Sequence, residues 1–142
     1  MTRPSRHDYY TTMLELVAAR STCGRRSVGA IITTVDGEIL STGYNGPPRG
    51  FDHCIDKPCP GRNDEPGNTS RCEAVHAEVN AILQCKRLDL ADIIYVSCTP
   101  CFTCAKMICN TPIKKVIVME RYADIMGQAM LDHAGIETTV FE

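Results

Sequence analysis

The segment "VHAEVNAI" carries two groups that could do chemistry, a histidine and a glutamate two residues apart. Two residues turn an α-helix by about 200°, so His76 and Glu78 would face opposite ways in the middle of a helix. At the start of a helix the conflict disappears, because His76 can reach a metal ion beyond the helix end while Glu78 approaches the same place from another direction. The spacing therefore predicts a helix that begins at about His76.

A second motif, "TPCFTC", places Cys101 and Cys104 at the start of another predicted helix. Positions i and i+3 lie on one side of a helix, so the two thiols can bind one zinc ion. The positive end of the helix dipole favours their anionic form. Taken alone, the C-x-x-C pair is equally consistent with a redox pair, half of a structural zinc site or chance.

The two motifs together predict one catalytic zinc centre. His76, Cys101 and Cys104 supply three ligands, and three protein ligands with an open fourth position are typical of catalytic zinc. Glu78 would then be the general acid and base rather than a ligand. Taken singly, His76 could be a structural histidine and Glu78 a first-turn acid that complements the helix dipole. The joint pattern favours the catalytic interpretation.

The elements that position these motifs alternate along the chain. Apolar spacing predicts a helix from His7 to about Arg20, and "VGAIITT" and "EILSTG" flank a "VDG" turn as two antiparallel strands. The remaining predicted elements are helices at 76–86, after Pro100 and at 125–134, and strands at 93–97, 115–119 and 137–141. We expect Val75, Val79, Ile82 and Leu83 to form the buried face of the 76–86 helix.

The alternation of strands and helices in the second half of the chain implies right-handed crossovers between parallel strands. We therefore predict an α/β fold, a three-layer α/β/α sandwich with a mixed sheet of about five strands. The 142 residues suit a single domain, 1–142, with an irregular Cys/Gly/Pro-rich insertion at about 44–72.

Charge and hydropathy narrow the range of partners. The net charge is −2, without a basic stripe, which favours a small molecule or a protein over nucleic acid. No apolar run reaches the roughly 20 residues of a membrane span, and the N-terminus lacks the apolar core of a signal peptide. We therefore expect a cytoplasmic protein with no membrane partner.

The chain contains nine cysteines, an odd number that favours metal binding or catalysis over a disulfide framework. Four of them, in or beside the irregular insertion, could form a closed structural zinc site that holds this segment in shape. Their irregular spacing leaves this second zinc open, and His53 could replace one cysteine. The four are Cys23, Cys54, Cys59 and Cys72; Cys85, Cys98 and Cys109 are expected to be core residues.

The order H-x-E…P-C-x-x-C resembles the signature of zinc-dependent deaminases. Nearly the whole chain resembles the deoxycytidylate (dCMP) deaminase family, within the cytidine deaminase-like superfamily. The likeness rests on "RSTCGRRSVGAIITTVDGEILSTGYNGPPRGFDHC", "HAEVNAI", "TPCFTCAKMICN" and "IKKVIVMERY". The first of these segments distinguishes the chain from tRNA adenosine, guanine and riboflavin deaminases, which share only the zinc motif.

The resemblance implies hydrolysis of dCMP to dUMP and ammonia by a zinc-activated water, which supplies dUMP for dTTP synthesis. The alternatives are the same chemistry on dCTP or deoxycytidine, or a non-catalytic zinc module. By family analogy Asn45 would bind the deoxyribose, and Cys23 and Cys54 match positions that hold a second zinc in several members. Our other candidates are Arg26 and Tyr122 for the 5′-phosphate, Val28 and Ala30 beneath the base, and backbone groups near Ala77 and Cys98–Thr99 at the base edge.

Regulation is also implied by the resemblance alone. Members of the family are commonly homohexamers, activated by dCTP and inhibited by dTTP with bound Mg²⁺, although some relatives lack this control. The loop "YNGPPRGF" matches the segment associated with the effector site. The corresponding candidates are Tyr44, Asn45, Gly46 and Arg49.

Overall fold

The computed structural model describes residues 2–121 and 125–141. The described helices are α1 (Arg6–Ala19), α2 (Ala77–Gln84), α3 (Phe102–Cys109) and α4 (Ile125–His133), with a single 3₁₀ turn at Leu88–Leu90. The strands are β1 (Gly29–Thr33), β2 (Ile39–Tyr44), β3 (Ile93–Cys98), β4 (Lys115–Glu120) and β5 (Glu137–Val140). None of these helices is long and apolar enough to span a bilayer.

The five strands form one mixed sheet in the order β2-β1-β3-β4-β5. β1 is antiparallel to β2, because the hairpin turn between them reverses the chain. It is also antiparallel to β3. β3, β4 and β5 are parallel, since α3 and α4 carry the chain back between them. The predicted mixed sheet of five strands is confirmed.

Helices cover both faces of the sheet. Successive strand residues point to opposite faces, so Ile31 of β1 packs toward α1 while Ala30 and Ile32 pack on the other side. The α1 side is completed by Tyr10, Leu14, Tyr95 and Ile117. The opposite side is filled by residues of β1, β3 and β4 together with Ala77 and Ala81 of α2, Ala105 and Ile108 of α3, and Leu131 of α4. The structure is therefore the predicted three-layer sandwich.

The predicted buried face of the second helix is wrong at Leu83, whereas Ile82 packs partly buried against the core as expected. Leu83 is 71% exposed, and α2 instead buries the small side chains of Ala77 and Ala81. The reason lies in β2, where a Cβ at Gly43 would overlap the backbone of both alanines. The helix therefore lies directly on the strand, and this close contact leaves no room for leucine-sized side chains.

The irregular segment is held in place by hydrogen bonds from the side chain of Arg25. Residues 45–76 contain no helix or strand beyond the isolated bridge between Gly46 and Val75. The Arg25 guanidinium donates from Nη1 to the carbonyls of Gly61 (3.0 Å) and Asn68 (2.7 Å), and from Nη2 to that of Glu65 (3.1 Å). These bonds satisfy carbonyl groups that would otherwise find partners in regular secondary structure.

Candidate metal centre

The candidate ligands lie at the starts of two helices, as the sequence predicts. His76 is the N-cap residue of α2 and Cys101 is the N-cap residue of α3, both with extended backbone. Neither side chain makes a capping hydrogen bond, so the imidazole and the thiol remain available to other partners. Cys104 follows in the first turn of α3 and is almost fully buried.

The end of β2 fixes the position of His76. Val75 donates its N–H to the carbonyl of Gly46 at 2.8 Å, and Gly46 returns a bond to Val75 at 3.2 Å. One turn into α2, Asn80 Nδ2 donates to the carbonyl of Tyr44 at 2.8 Å. Sequence reasoning missed Asn80, although a polar residue in a short apolar helix was a usable signal. Together these contacts tie the start of α2 to the sheet.

The ligand atoms lie at distances that fit zinc. His76 Nδ1 is 3.5 Å from Cys101 Sγ and 3.4 Å from Cys104 Sγ. A tetrahedral zinc with ordinary Zn–N and Zn–S bonds would separate nitrogen and sulfur by about 3.6 Å. Among the described residues, this is the only group of three or more histidine, cysteine or acidic side chains whose ligand atoms all lie within 4.8 Å of one another.

Hydrogen bonds within the triad shift the pKa values of its three side chains. The Cys104 thiol donates to Cys101, which lowers the pKa of Cys101 to about 4, and His76 adds to this effect. The same bond, together with burial, raises the pKa of Cys104. The hydrogen bond to Cys101 also raises the pKa of His76. The triad therefore favours a thiolate at Cys101, the form of cysteine that binds a metal ion.

Glu78 lies beside the triad on the first turn of α2 and is only 4% exposed. Burial raises the pKa of its carboxyl group above the ordinary value, although the Cys104 side chain hydrogen-bonds to it. A carboxyl group with a raised pKa can both accept and donate protons near neutral pH. Its position next to a ligand, without membership of the triad, fits the predicted role of general acid and base.

Asn45 links the ends of β1 and β2 and is 6% exposed. Its Oδ1 accepts from the N–H of Val28 at 2.9 Å, and its Nδ2 donates to the carbonyl of Arg26 at 2.8 Å. An amide side chain has two N–H groups and two lone pairs on its oxygen, so one of each remains for a ligand. The side chain of Val28 is half-buried, while Ala30 and Ala77 are fully buried.

The charge of Arg26 affects Cys98, the last residue of β3. Burial raises the pKa of Cys98 to about 11, and the Arg26 guanidinium is the strongest influence that lowers it. Cys98 and Thr99 are buried and directly precede the turn that leads to Cys101. Arg26 itself is exposed. Tyr122, the second phosphate candidate, lies outside the described residues.

The effector candidates occupy different environments. The ring of Tyr44 is half-buried, with the Arg20 guanidinium 5.9 Å from its centroid. Gly46 is buried in the bridge with Val75, whereas Arg49 is exposed. Of the four, Arg49 is therefore the residue placed to meet a ligand from solvent.

The four cysteines of the predicted second site are neighbours, but they are less compact than the triad. The N–H of Cys59 donates to Cys54 Sγ at 3.5 Å, and Cys23 and Cys59 both act to raise the pKa of Cys72, after burial as the main cause. They do not meet the distance criterion that the triad satisfies, and His53 is exposed. Of the expected core cysteines, Cys98 is buried, and Cys85 and Cys109 pack partly buried against the core.

Comparison with known proteins identifies relatives along nearly the whole chain. Residues 4–120 match the family model for the cytidine and deoxycytidylate deaminase zinc-binding region. The chain is 38% identical over 124 residues to a deoxycytidylate deaminase of Mycobacterium phage D29, covering 82% of this chain and 96% of the relative. It is 35% identical over 143 residues to the deoxycytidylate deaminase of Saccharomyces cerevisiae, covering 98% of this chain but only 46% of the yeast protein.

The fold also matches a solved structure. The dCMP deaminase of cyanophage S-TIM5, in complex with dCMP and dUMP, superposes with a TM-score of 0.74 at 29% identity and 99% coverage of both chains. The sheet and the helical layers are therefore those of a known enzyme fold.

Proposed function

The chain belongs to the cytidine and deoxycytidylate deaminase zinc-binding family, and from this premise we propose that it hydrolyses dCMP to dUMP and ammonia. The observation that carries the proposal is the pairing of a compact His76, Cys101 and Cys104 triad with a buried carboxyl group, Glu78, beside it. A non-catalytic zinc module would have no use for that carboxyl group. The reduced thiols that the site requires fit a cytoplasmic protein.

His76, Cys101 and Cys104 would hold zinc, which when bound supplies an activated water at neutral pH. Glu78 accepts a proton at a carboxylate oxygen and passes it to the ring nitrogen beside the carbon that is attacked. It then carries a second proton, taken from the hydroxyl group now on the attacked carbon, to the amine, which leaves as ammonia while that carbon becomes a carbonyl. One carboxylate serves both transfers because they occur in sequence, and its burial keeps competing water away from the proton.

The substrate would lie across the ends of β1 and β3. The remaining hydrogen-bonding groups of Asn45 would bind the deoxyribose, and Arg26 would bind the 5′-phosphate as a charge-assisted pair. Val28 and Ala30 at the start of β1, Ala77 on α2 and the backbone of Cys98–Thr99 at the end of β3 would border the base, with Tyr122 as a second phosphate ligand. dUMP, the product, would then enter dTTP synthesis.

The test of this proposal is a comparison of steady-state deamination of dCMP, dCTP and deoxycytidine, followed by ultraviolet absorbance with and without a chelator. We expect the highest kcat/KM for dCMP and loss of activity in the chelator. Equal rates on all three substrates would remove the claim for the monophosphate. Preference for dCTP or deoxycytidine would support the alternative of the same chemistry on another cytosine compound.

We predict that Arg26→Ala raises the KM for dCMP by about 10- to 100-fold, because a hydrogen bond to a charged group contributes about 1.5–3 kcal/mol. kcat should change little, and the KM for deoxycytidine should not change, since that substrate lacks the phosphate. Steady-state kinetics on both substrates measure this split. Arg87→Ala is the control, because Arg87 is exposed and pairs with Asp89 instead. Equal effects of Arg26→Ala on both substrates would contradict the assignment.

We also propose a second, structural zinc held by Cys23, Cys54, Cys59 and Cys72. The support is the closeness of these side chains in a segment that lacks regular structure. Mass spectrometry under native conditions should give two zinc ions per chain, and Cys54→Ala should reduce the value to one without removing deamination. A wild-type value of one would refute the second site.

The proposal also includes regulation by nucleotides. We propose that the protein assembles as a hexamer in which Tyr44, Asn45, Gly46 and Arg49 contact dCTP or Mg²⁺-bound dTTP. Its support is the exposed Arg49 on the loop that leads away from the buried Asn45 and Gly46. The dCMP saturation curve should shift to lower concentration with dCTP and to higher concentration with dTTP. A curve insensitive to both nucleotides would indicate an unregulated enzyme.

A further inference from the structure

The first turn of α4 touches the peptide that precedes the triad's Cys101. A Cβ placed on Gly127 would overlap the carbonyl oxygen of Pro100 and would lie 3.1 Å and 3.3 Å from the carbonyl carbon and oxygen of Cys101. All of these neighbours are backbone atoms, so none can rotate away. Any residue larger than glycine therefore requires α4 and the Pro100–Cys101 peptide to separate.

The position of this peptide determines where the Cys101 thiol lies. Cys101 is the N-cap residue of α3, and its carbonyl accepts the first helical hydrogen bond from Ala105 at 2.8 Å. Pro100 is fully buried, so the peptide has no solvent-filled space into which it could move. A displacement of the carbonyl group would therefore move Cys101 Sγ relative to His76 and would also distort the turn that holds Cys104.

We propose that Gly127 is a positioning residue for the metal centre. Because it has no side chain, α4 can press on the Pro100–Cys101 peptide and hold Cys101 Sγ at ligand distance from His76 Nδ1. Metal ligands tolerate shifts of only about 0.2 Å from ideal bond lengths. The shift needed to remove the overlap between a Cβ at position 127 and the carbonyl oxygen of Pro100 is larger than this tolerance. The inference rests on the proposed zinc site and adds a residue that the family's metal motif does not contain.

A loss of zinc affinity in the folded variant separates this role from general stability. The Cβ overlap is expected to lower the stability of the metal-free fold, since an added methyl group against backbone atoms forces the two segments apart. A positioning role predicts a further effect, because the displaced Cys101 Sγ no longer lies at ligand distance. Zinc should therefore bind more weakly to a Gly127→Ala protein that is still folded.

The test compares wild type, Gly127→Ala, Met126→Ala and Cys101→Ala as full-length chains. Met126 is the matched control, since it is the adjacent residue on α4 and is 61% exposed. The dissociation constant for zinc is measured by competition with a chromophoric chelator, and the absorption of the cobalt-substituted protein reports the number of thiolate ligands. Thermal unfolding of the metal-free proteins is followed by circular dichroism.

We expect Gly127→Ala to bind zinc at least tenfold more weakly than wild type and to show weaker thiolate absorption in the cobalt spectrum, with Cys101→Ala giving the spectrum that remains when the catalytic site is lost. Met126→Ala should match wild type. Wild-type zinc affinity with both thiolates in Gly127→Ala would overturn the inference. A metal-free Gly127→Ala protein that is unfolded under the conditions of the zinc titration would also overturn it by showing a general structural role. Failure of the wild type itself to bind zinc would instead refute the proposed function.

Discussion

Glu78→Gln is expected to reduce dCMP turnover by about 10²- to 10⁴-fold, the range that general acid–base catalysis contributes. The amide has nearly the same shape as the carboxyl group but cannot accept and return a proton. Glu78 is not one of the triad residues, so zinc content should stay at the wild-type value. Kinetics at saturating dCMP, together with metal analysis of the same samples, measure both quantities.

The control for this substitution is Glu15→Gln. Glu15 is an exposed residue of α1, on the opposite face of the sheet, so the same chemical change there should leave turnover unaffected. The unfolding temperature of Glu78→Gln should equal or exceed that of wild type, because a buried amide costs less to desolvate than a buried carboxylate. Wild-type turnover in Glu78→Gln would contradict the proposed role in proton transfer.

Cys101→Ala is expected to remove the catalytic zinc and to abolish measurable deamination. Only His76 and Cys104 would remain as ligands, one fewer than the three protein ligands typical of catalytic zinc sites. Metal analysis after dialysis should show one zinc less per chain than wild type, and added zinc should not restore activity. The fold should persist, since Cys101 is a helix-capping position at the edge of the core and not a large buried side chain.

Cys85→Ala is the matched control, because it removes the same thiol from a partly buried position at the end of α2. We expect wild-type zinc content and turnover from it, with at most a small loss of stability. Retention of a full complement of zinc and activity in Cys101→Ala would show that the metal is held elsewhere. Loss of zinc from both variants would point to general disruption.

The sequence predicts the fold and the centre well because both depend on local patterns. β-branched runs and a "VDG" turn define β1 and β2, and the two metal motifs each lie at a helix start whose position the chain itself encodes. The geometry then needs only that β3 and the end of β2 bring His76 and Cys101 together. The sheet order alone does not meet that requirement, since β1 lies between β2 and β3; the bridge between Gly46 and Val75 also ties the start of α2 to the end of β2.

The remaining features depend on contacts between distant segments. The exposure of Leu83 was mispredicted because the packing of α2 is set by Gly43, a residue of β2 that no helical periodicity includes. Gly127 and Asn80 escaped notice for the same reason, since each matters only through the backbone of another element. The second zinc and the role of Tyr122 stay predictions, the first because its cysteines are less compact than the triad and the second because the residue lies outside those described.

The two adjacent arginines in "CGRRS" have different partners. Arg25 donates hydrogen bonds to three carbonyl groups of the irregular segment. The charge of Arg26 instead acts to lower the pKa of Cys98 at the end of β3. A lysine could not span those three carbonyls, because its single ammonium group lacks the fork of a guanidinium. In a homologous chain with a shorter segment, the first arginine would therefore be dispensable, whereas the second makes none of these three bonds.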